Sequence, residues 1–256
     1  MNIYYQWFSW AYWHSSSIIA AKNLWFLEEN IFWIDSFKKV FEKIDEGNIW
    51  VLPFENSYAW SIHENFYHAI SWNYKIIWEI FLEINHNLLA KTDYISKIKK
   101  VYSHPQALMQ TSDFCKKHNL EQIPFSDTAW AAKYVWEKND ETIASISSSL
   151  AWEIYNLNNL KSNIQDQDWN TTKFFVIVKN ENNILQNLNY SWIKSKKVSI
   201  IFKTKDSPSA LYKCLWAFAT RFINLVKIES LPAKQNRFEY IFWIKLKKSV
   251  EEKIIF

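Results

Sequence analysis

Glycine is almost missing from this chain. Of its 256 residues only Gly47 is a glycine, where an ordinary share of about 7% predicts about 18. Turns, helix C-caps and close backbone approaches need a residue that takes positive φ without a Cβ penalty, so a fold of this length is not expected to manage with one. Tryptophan is in matching excess: 16 tryptophans and one glycine make 17, close to the expected glycine count. The expectation is a gene that uses UGA as a glycine codon, written out with tryptophan at those positions. A real tryptophan-rich binder of membrane interfaces is the competing reading.

Cysteine is scarce as well. Cys115 and Cys214 lie far apart in no CxxC or Cys/His ligand spacing, which argues against a disulfide framework and fits a reducing cytosol. The six histidines (His14, His63, His68, His86, His104 and His118) offer no metal spacing, so no metal is expected. No run of 18 apolar residues occurs, because the uncharged stretch 1–21 is broken by Asn2, Gln6, Ser9, His14 and Ser15 to Ser17, and MNIYYQWFSW has no basic n-region ahead of an apolar one. Neither a membrane span nor a signal peptide is expected, and the protein reads as cytoplasmic. The 30 basic and 26 acidic residues leave a net charge of +4 spread along the chain, so nucleic acid is not an expected partner.

What the sequence does contain is an alternation of strand and helix patterns. Asn2 to Gln6 reads as a strand leading through a loop into a helix, and Ser36 to Ile44 as a helix with Phe37, Val40, Phe41 and Ile44 on one face. Ile49 to Phe54 reads as a buried strand stopped by Pro53. The alternation continues through Tyr74 to Leu89, Val101-Tyr102, a helix near Pro105 to His118 and another across Asp127 to Lys138. This order predicts an α/β domain with a mainly parallel sheet. Lys179 to Asn189 is polar and asparagine-rich, a predicted linker. Beyond it a strand, a helix and two strands suggest a small ferredoxin-like module whose last helix and strand are incomplete at Phe256.

Four clusters stand at element ends. Leu52 to Ser57 places Glu55, Asn56 and Ser57 where a strand enters a loop, the end at which open α/β sheets bind ligands. Ser103 to Leu108 precedes Gln110, one turn past Gln106 on the same helix face. Asp127 to Ala132 is a cap followed by small residues, and Asn170 to Phe174 puts a hydroxyl and a cation at a strand start. Each alone reads most simply as a cap or loop. Ser103 beside His104 lacks the third group and the elbow of a serine hydrolase.

Taken in order, the clusters resemble the prephenate dehydratase family over nearly the whole chain. The family's YQG-x-x-GAY stands as Tyr5 to Tyr12, its GV-x-P-x-ENS-x-x-G as Trp50 to Trp60, and its SHPQAL-x-Q as Ser103 to Gln110. Its D-TAGAA is similar to Asp127 to Ala132, and its IQD-x-x-x-N-x-TRF to Ile164 to Phe174. At positions 7, 10, 50, 60 and 130 the family has glycine and this chain tryptophan. Read literally, the indoles of Trp7, Trp10, Trp60 and Trp130 would overpack a tight cleft at about 1 to 3 kcal/mol each. After the linker, Ile223 to Ser230 resembles the core of the ACT domain that binds phenylalanine in this family.

The resemblance implies a two-lobed α/β catalytic domain like a type 2 periplasmic binding protein over residues 1–180, with lobes of roughly 1–77 plus 163–180 and 78–162. A linker at 181–194 and an incomplete βαββ ACT domain at 195–256 would follow. It implies a cofactor-free enzyme, a carbon-oxygen lyase, that turns prephenate into phenylpyruvate in phenylalanine biosynthesis, with arogenate dehydratase or a non-catalytic ligand binder as alternatives. By resemblance, Thr172 would donate a hydrogen bond to the leaving hydroxyl. Glu55, Asn56, Ser57, Ser103, Gln106 and Gln110 would complete the catalytic cleft, and Lys173, Asn170, Thr128, His104 and Phe174 would bind substrate. Ser209, Ala210, Leu211, Asn224, Leu225, Glu229 and Ser230 would hold phenylalanine, and the chain would form dimers or tetramers. Two departures weaken the pattern: Lys173 replaces an arginine and so loses the bidentate fork, and Leu231 replaces the arginine of the effector motif.

Overall fold

The computed structural model describes residues 2–6, 12–34, 39, 43, 48–57, 60–61, 74–179, 196–233 and 239–248. Two compact units divide the chain, Met1–Asn182 and Asn183–Phe256. The first unit holds two sheets. In one, β1 (Ile3–Gln6) lies between β2 (Ile31–Ile34) and β3 (Ile49–Asn56), parallel to both. Strand β11 (Thr171–Lys179) then runs antiparallel between β3 and β5 (Tyr74–Glu83), and the short β4 (Trp60–Ser61) pairs with the end of β3. The expected mainly parallel sheet is therefore mixed, because β11 arrives from the other lobe and enters the sheet against the direction of β3.

Residues 49–54 of β3 are all buried, as a continuous apolar run in a strand covered on both faces should be. The strand does not stop at Pro53, as its sequence suggested, but runs on to Asn56. Glu55 faces Lys173 and Pro53 faces Phe174, so Phe54 is the extra residue of a β-bulge. The bulge falls beside the proline, which has no N–H to give to the ladder.

Helix α1 (Tyr12–Leu24) packs on this sheet and closes with Trp25 at φ 62°, while the Phe26 amide donates to the Ala21 carbonyl at 2.9 Å. That is the left-handed C-terminal turn in which glycine is the usual residue; Trp25 is 92% exposed. Of the helix expected at Ser36 to Ile44 only Lys39 and Lys43 are described, both helical, and the loop at 7–11 lies outside the described residues.

The second sheet runs β10 (Asn158–Lys161), β6 (Asn87–Ala90), β9 (Ile143–Ser147), β7 (Lys100–Ser103), β8 (Glu121–Pro124), parallel about β7 and antiparallel about β6. Strands β6 and β9 are wholly buried. Around them lie α2 (Pro105–Gln110), α3 (Ser112–Lys117), α4 (Thr128–Lys138) and α5 (Ser149–Tyr155). Leu88, Val101, Leu108, Cys115 and Ile146 form one part of this core, and Leu89, Ala132, Val135 and Ala151 another. Ala131 and Ala132 have no exposed surface, which lets α4 lie close to the sheet.

The lobes are joined twice, by residues 84–86 and by residues 162–170. Strand β5 keeps the chain in the first sheet to Glu83, beyond the boundary expected at 77, because it pairs with β11 along its whole length. The two crossings run side by side: the Ile84 amide donates to the Asn170 carbonyl at 2.8 Å, and the Ile164 amide to the His86 carbonyl at 2.9 Å.

In the second unit β12 (Lys196–Lys203), helix α6 (Ala210–Ala219), β13 (Leu225–Pro232) and β14 (Tyr240–Lys248) follow in a β-α-β-β order. The sheet is antiparallel throughout, with β14 in the middle.

Candidate active site

The ends of β3 and β11 bring together residues more than 100 positions apart in sequence. Their register sets Asn56 opposite Thr172 and Glu55 opposite Lys173. The Asn56 Nδ2 donates to Thr172 Oγ1 and to Asn170 Oδ1, both at 2.9 Å. Asn170 Nδ2 in turn donates to Gln110 Oε1 at 2.9 Å, and His86 Nε2 lies 2.8 Å from the same oxygen. His86 Nδ1 lies 3.1 Å from the Tyr12 hydroxyl, which also reaches the Asn85 carbonyl at 2.8 Å. A continuous chain of polar side chains therefore runs from Tyr12 on α1, through the second lobe, to Thr172.

The chain is nearly dry. His86, Gln110, Asn170, Asn56 and Thr172 are all buried, and buried polar groups are costly unless each is hydrogen-bonded. Burial pushes the His86 imidazole below its ordinary value against the pull of the Gln110 hydrogen bond, and pushes the Tyr12 hydroxyl up, with the Asp127 carboxylate acting in the same direction. Thr172 accepts from Asn56, which leaves its single proton for donation elsewhere.

Lys173 is not part of this chain. Neighbours on a strand point to opposite faces, and Lys173 sits over the Phe81 ring at 5.5 Å on the face away from Asn56 and Thr172. It pairs there with Glu55 at 2.5 Å, both side chains about four-fifths buried. The expected joint action of Thr172 and Lys173 on one substrate is replaced by two cross-strand pairs back to back, a direct result of the two-residue period. Phe174 also departs from expectation: it is 1% exposed and meets Trp13 edge to face at 6.4 Å, so it packs the core beneath Thr172.

Ser57 ties the strand ends together. Its Oγ donates to the Trp169 carbonyl and accepts from the Thr171 amide, each at 2.8 Å. Ser103 is fully buried and its Oγ donates to the Ile146 carbonyl at 2.6 Å, so it fastens β7 to β9 and is withdrawn from the cleft. His104 caps α2, its Nδ1 accepting from the Gln106 amide at 3.2 Å; burial lowers its proton affinity against the nearby Asp127 carboxylate. Asp127 caps α4, Oδ1 accepting from the Ala129 amide at 2.7 Å and the Trp130 amide at 3.2 Å. Burial pushes this carboxyl up, opposed by those amides and by His104. Thr128 follows it, buried, with its carbonyl taken by Ser147 Oγ at 2.6 Å. Trp130 turns outward, 37% exposed with Lys133 over its ring, and so does not fill the cleft as its position suggested. The side chains of residues 7, 10 and 60 lie outside those described.

Sequence reasoning missed Tyr12, Asn85, His86 and Gln165. Gln165 Oε1 accepts from the His86 amide at 3.0 Å, and its Nε2 donates to Asn85 Oδ1 at 3.1 Å. The signal was there: Asn85-His86-Asn87 is a polar triplet between two apolar strand runs. In the second unit Ser209, Ala210 and Leu211 open α6, Ser209 at φ 66°. Asn224 and Leu225 lead into β13, while Glu229, further along and next to Ser230, pairs with Lys227 at 2.8 Å. Among the described residues no group of three His, Cys, Asp or Glu side chains is placed to hold a metal, and no helix is long and apolar enough to cross a membrane.

Residues 14–182 match the family model described as prephenate dehydratase. The chain is 40% identical over 220 residues to the prephenate dehydratase of Methanocaldococcus jannaschii, covering 85% of this chain and 78% of that one. It is 33% identical to the chloroplastic arogenate dehydratase/prephenate dehydratase 2 of Arabidopsis thaliana, covering 86% of this chain but only 59% of the relative. Among solved structures, prephenate dehydratase in complex with L-Phe from Arthrobacter aurescens shares the fold with a TM-score of 0.79 at 23% identity, over 97% of this chain and 81% of that one.

Proposed function

The chain belongs to the prephenate dehydratase family, and from that premise we propose that it converts prephenate to phenylpyruvate with Thr172 as the group that meets the leaving hydroxyl. The observation that carries the assignment is the pairing of Asn56 with Thr172, which fills the threonine's acceptor side and leaves its proton to give. In the reaction the bond from the ring to its carboxylate breaks, carbon dioxide leaves, and the electron pair of that bond moves into the ring. The ring C–O bond breaks, and the departing oxygen leaves as water once it gains a proton. Aromaticity drives the step, so the protein need only position the dianion and support the leaving oxygen, work for fixed hydrogen bonds rather than a cofactor. A threonine hydroxyl is too weak an acid to transfer its proton outright at neutral pH, so its role is hydrogen bonding, relayed from water. On this reading the chain is a carbon-oxygen lyase, and a cytoplasmic one is expected.

Arogenate is the second substrate reading, favoured by the Arabidopsis relative whose name carries both activities. The βαββ unit is read as an ACT domain binding phenylalanine through Ser209, Ala210, Leu211, Asn224, Leu225, Glu229 and Ser230, and homo-oligomers of two or four chains are expected. The glycine codon reading draws support from Trp25 in a left-handed C-cap and from the indoles of Trp33, Trp130, Trp136, Trp152, Trp169 and Trp216, all exposed although tryptophan is ordinarily among the most buried residues.

The test is turnover of prephenate and arogenate side by side, for the literal chain and for a version with glycine at all 16 tryptophan positions, each beside its Thr172→Ala variant. We expect phenylpyruvate to form and Thr172→Ala to lower kcat about 10²-fold or more. Full activity in Thr172→Ala would remove Thr172 from the mechanism, and a folded chain without turnover would remove the activity. UGG codons at the 16 positions would end the glycine reading.

A further inference from the structure

We infer that His86 is a positioning residue which sets the direction of the hydrogen-bond chain ending at Thr172, and so decides whether the threonine proton faces substrate. This inference rests on the role of Thr172 proposed above. The chain has only two self-consistent polarities, because each amide presents an oxygen on one side and an NH2 on the other.

In the forward polarity, a proton on His86 Nε2 is donated to Gln110 Oε1, which also receives Asn170 Nδ2. Asn170 Oδ1 then receives Asn56 Nδ2, and the second hydrogen of that same amide goes to Thr172 Oγ1. Thr172 is thereby an acceptor toward the protein, and its proton is left for the substrate. Gln110 Nε2 is likewise turned away from His86 and available as a donor.

In the reverse polarity, a bare His86 Nε2 demands the Gln110 NH2. Gln110 would give its other hydrogen to Asn170 Oδ1, Asn170 would give to Asn56 Oδ1, and that oxygen would take the Thr172 proton. The bonds from His86 to Thr172 are all still made. The two polarities differ at the end of the chain, where the reverse one leaves Thr172 with nothing to donate to a leaving hydroxyl.

His86 is the one member of the chain whose donor and acceptor sides are chosen by a proton rather than by rotation. Its other nitrogen faces Tyr12, whose hydroxyl lies between Nδ1 at 3.1 Å and the Asn85 carbonyl at 2.8 Å. Tyr12 has one proton for these two neighbours: shared toward Nδ1 it keeps the imidazole proton on Nε2, facing Gln110 Oε1 at 2.8 Å, whereas given wholly to the Asn85 carbonyl it leaves Nδ1 to carry the proton. Its location also fits: His86 sits on one crossing between the lobes and is bonded through its carbonyl to the other.

The experiment combines a spectrum and a kinetic cycle on the full chain, in whichever version turns prephenate over, or in the folded version if neither does. Long-range 1H–15N correlation on histidine-labelled protein, with His86 assigned by its loss in His86→Gln, is expected to show the proton on Nε2 at neutral pH. A proton on Nδ1 alone would overturn the inference whether or not any turnover is seen. In the cycle, His86→Leu should lower kcat about 10²-fold with KM within about threefold of the parent, and His86→Gln, which keeps a donor, should recover most of it. His86→Leu added to Thr172→Val should cost nothing more, because the proton it orients is already gone. Additive losses, or a change confined to thermal stability, would make His86 a structural residue only. Absence of turnover in the parent chain would count against the proposed activity and leave the spectrum to decide on His86.

Discussion

At Trp25 the backbone is held where a Cβ meets the following carbonyl, a strain of about 1–2 kcal/mol for an L-residue. Trp25→Gly should therefore raise the unfolding free energy by about 1 kcal/mol after the added flexibility of the unfolded chain is allowed for, and thermal melts of the two chains will show it. A lower Tm for the glycine variant would speak against the strain. Elsewhere the chain solves the same problem with asparagine: Asn119, Asn139, Asn156 and Asn163 all take positive φ, the residue best able to replace glycine there. Phe222 shares that conformation at φ 53°, and nothing in the structure explains a phenylalanine at that position. The two thiols differ as well. Burial pushes the Cys115 thiol up and hides it, with Gln122 and Thr111 pulling the other way, while Cys214 is half-buried. A maleimide should label Cys214 first, and equal rates by mass spectrometry would show that α3 opens readily.

Among the elements, β7 and β9 depend on a side chain that its motif suggested was catalytic. Removing the Ser103 hydroxyl leaves the Ile146 carbonyl without that donor, so Ser103→Ala should cost about 1–3 kcal/mol of stability with kcat unchanged below the melt. A fall in kcat at full folding would return Ser103 to the cleft. The element ends were legible in the sequence because strands that run into caps carry polar clusters, and Asn56, Gln110, Asn170 and Thr172 were all named from such clusters. The face each would occupy was not legible. Thr172 and Lys173 point apart in any strand, but which of them meets Asn56 depends on a register between strands 118 residues apart at Glu55, and the bulge at Phe54 that helps to set that register cannot be read from either strand alone. His86 was visible only as one histidine among six.

For the whole molecule, three imidazoles, His86 buried and His14 and His104 half-buried, act on the acid side of the stability curve. Burial holds His14, His86 and His104 below the ordinary value of 6.5, against Glu28, Gln110 and Asp127 respectively. The unfolded chain takes up protons near pH 6.5 that the folded chain resists, so stability that is whole above that pH is lost as pH falls through the lowered folded values. Asp127 has the opposite sign: raised from 3.8, its contribution is whole below that pH and lost as pH rises through the folded value. Tm should accordingly fall between pH 7 and pH 5, and a flat profile would show that the imidazoles are already charged in the fold. The division after Asn182 makes a separate prediction, because the family match also ends there. A chain cut after Asn182 should keep prephenate turnover and lose any response to phenylalanine; loss of turnover would show that the second unit is needed for catalysis.

The paired crossings between the lobes have a mechanical consequence. His86 and Gln110 ride with one lobe while Asn56 and Thr172 ride with the other, and the Asn170 amide is the splice between them. A swing that parted the lobes would stretch the splice and slacken the hold on Thr172. Opening and arming would then be one coordinate, an interlock in which the threonine is aimed when the jaws are shut.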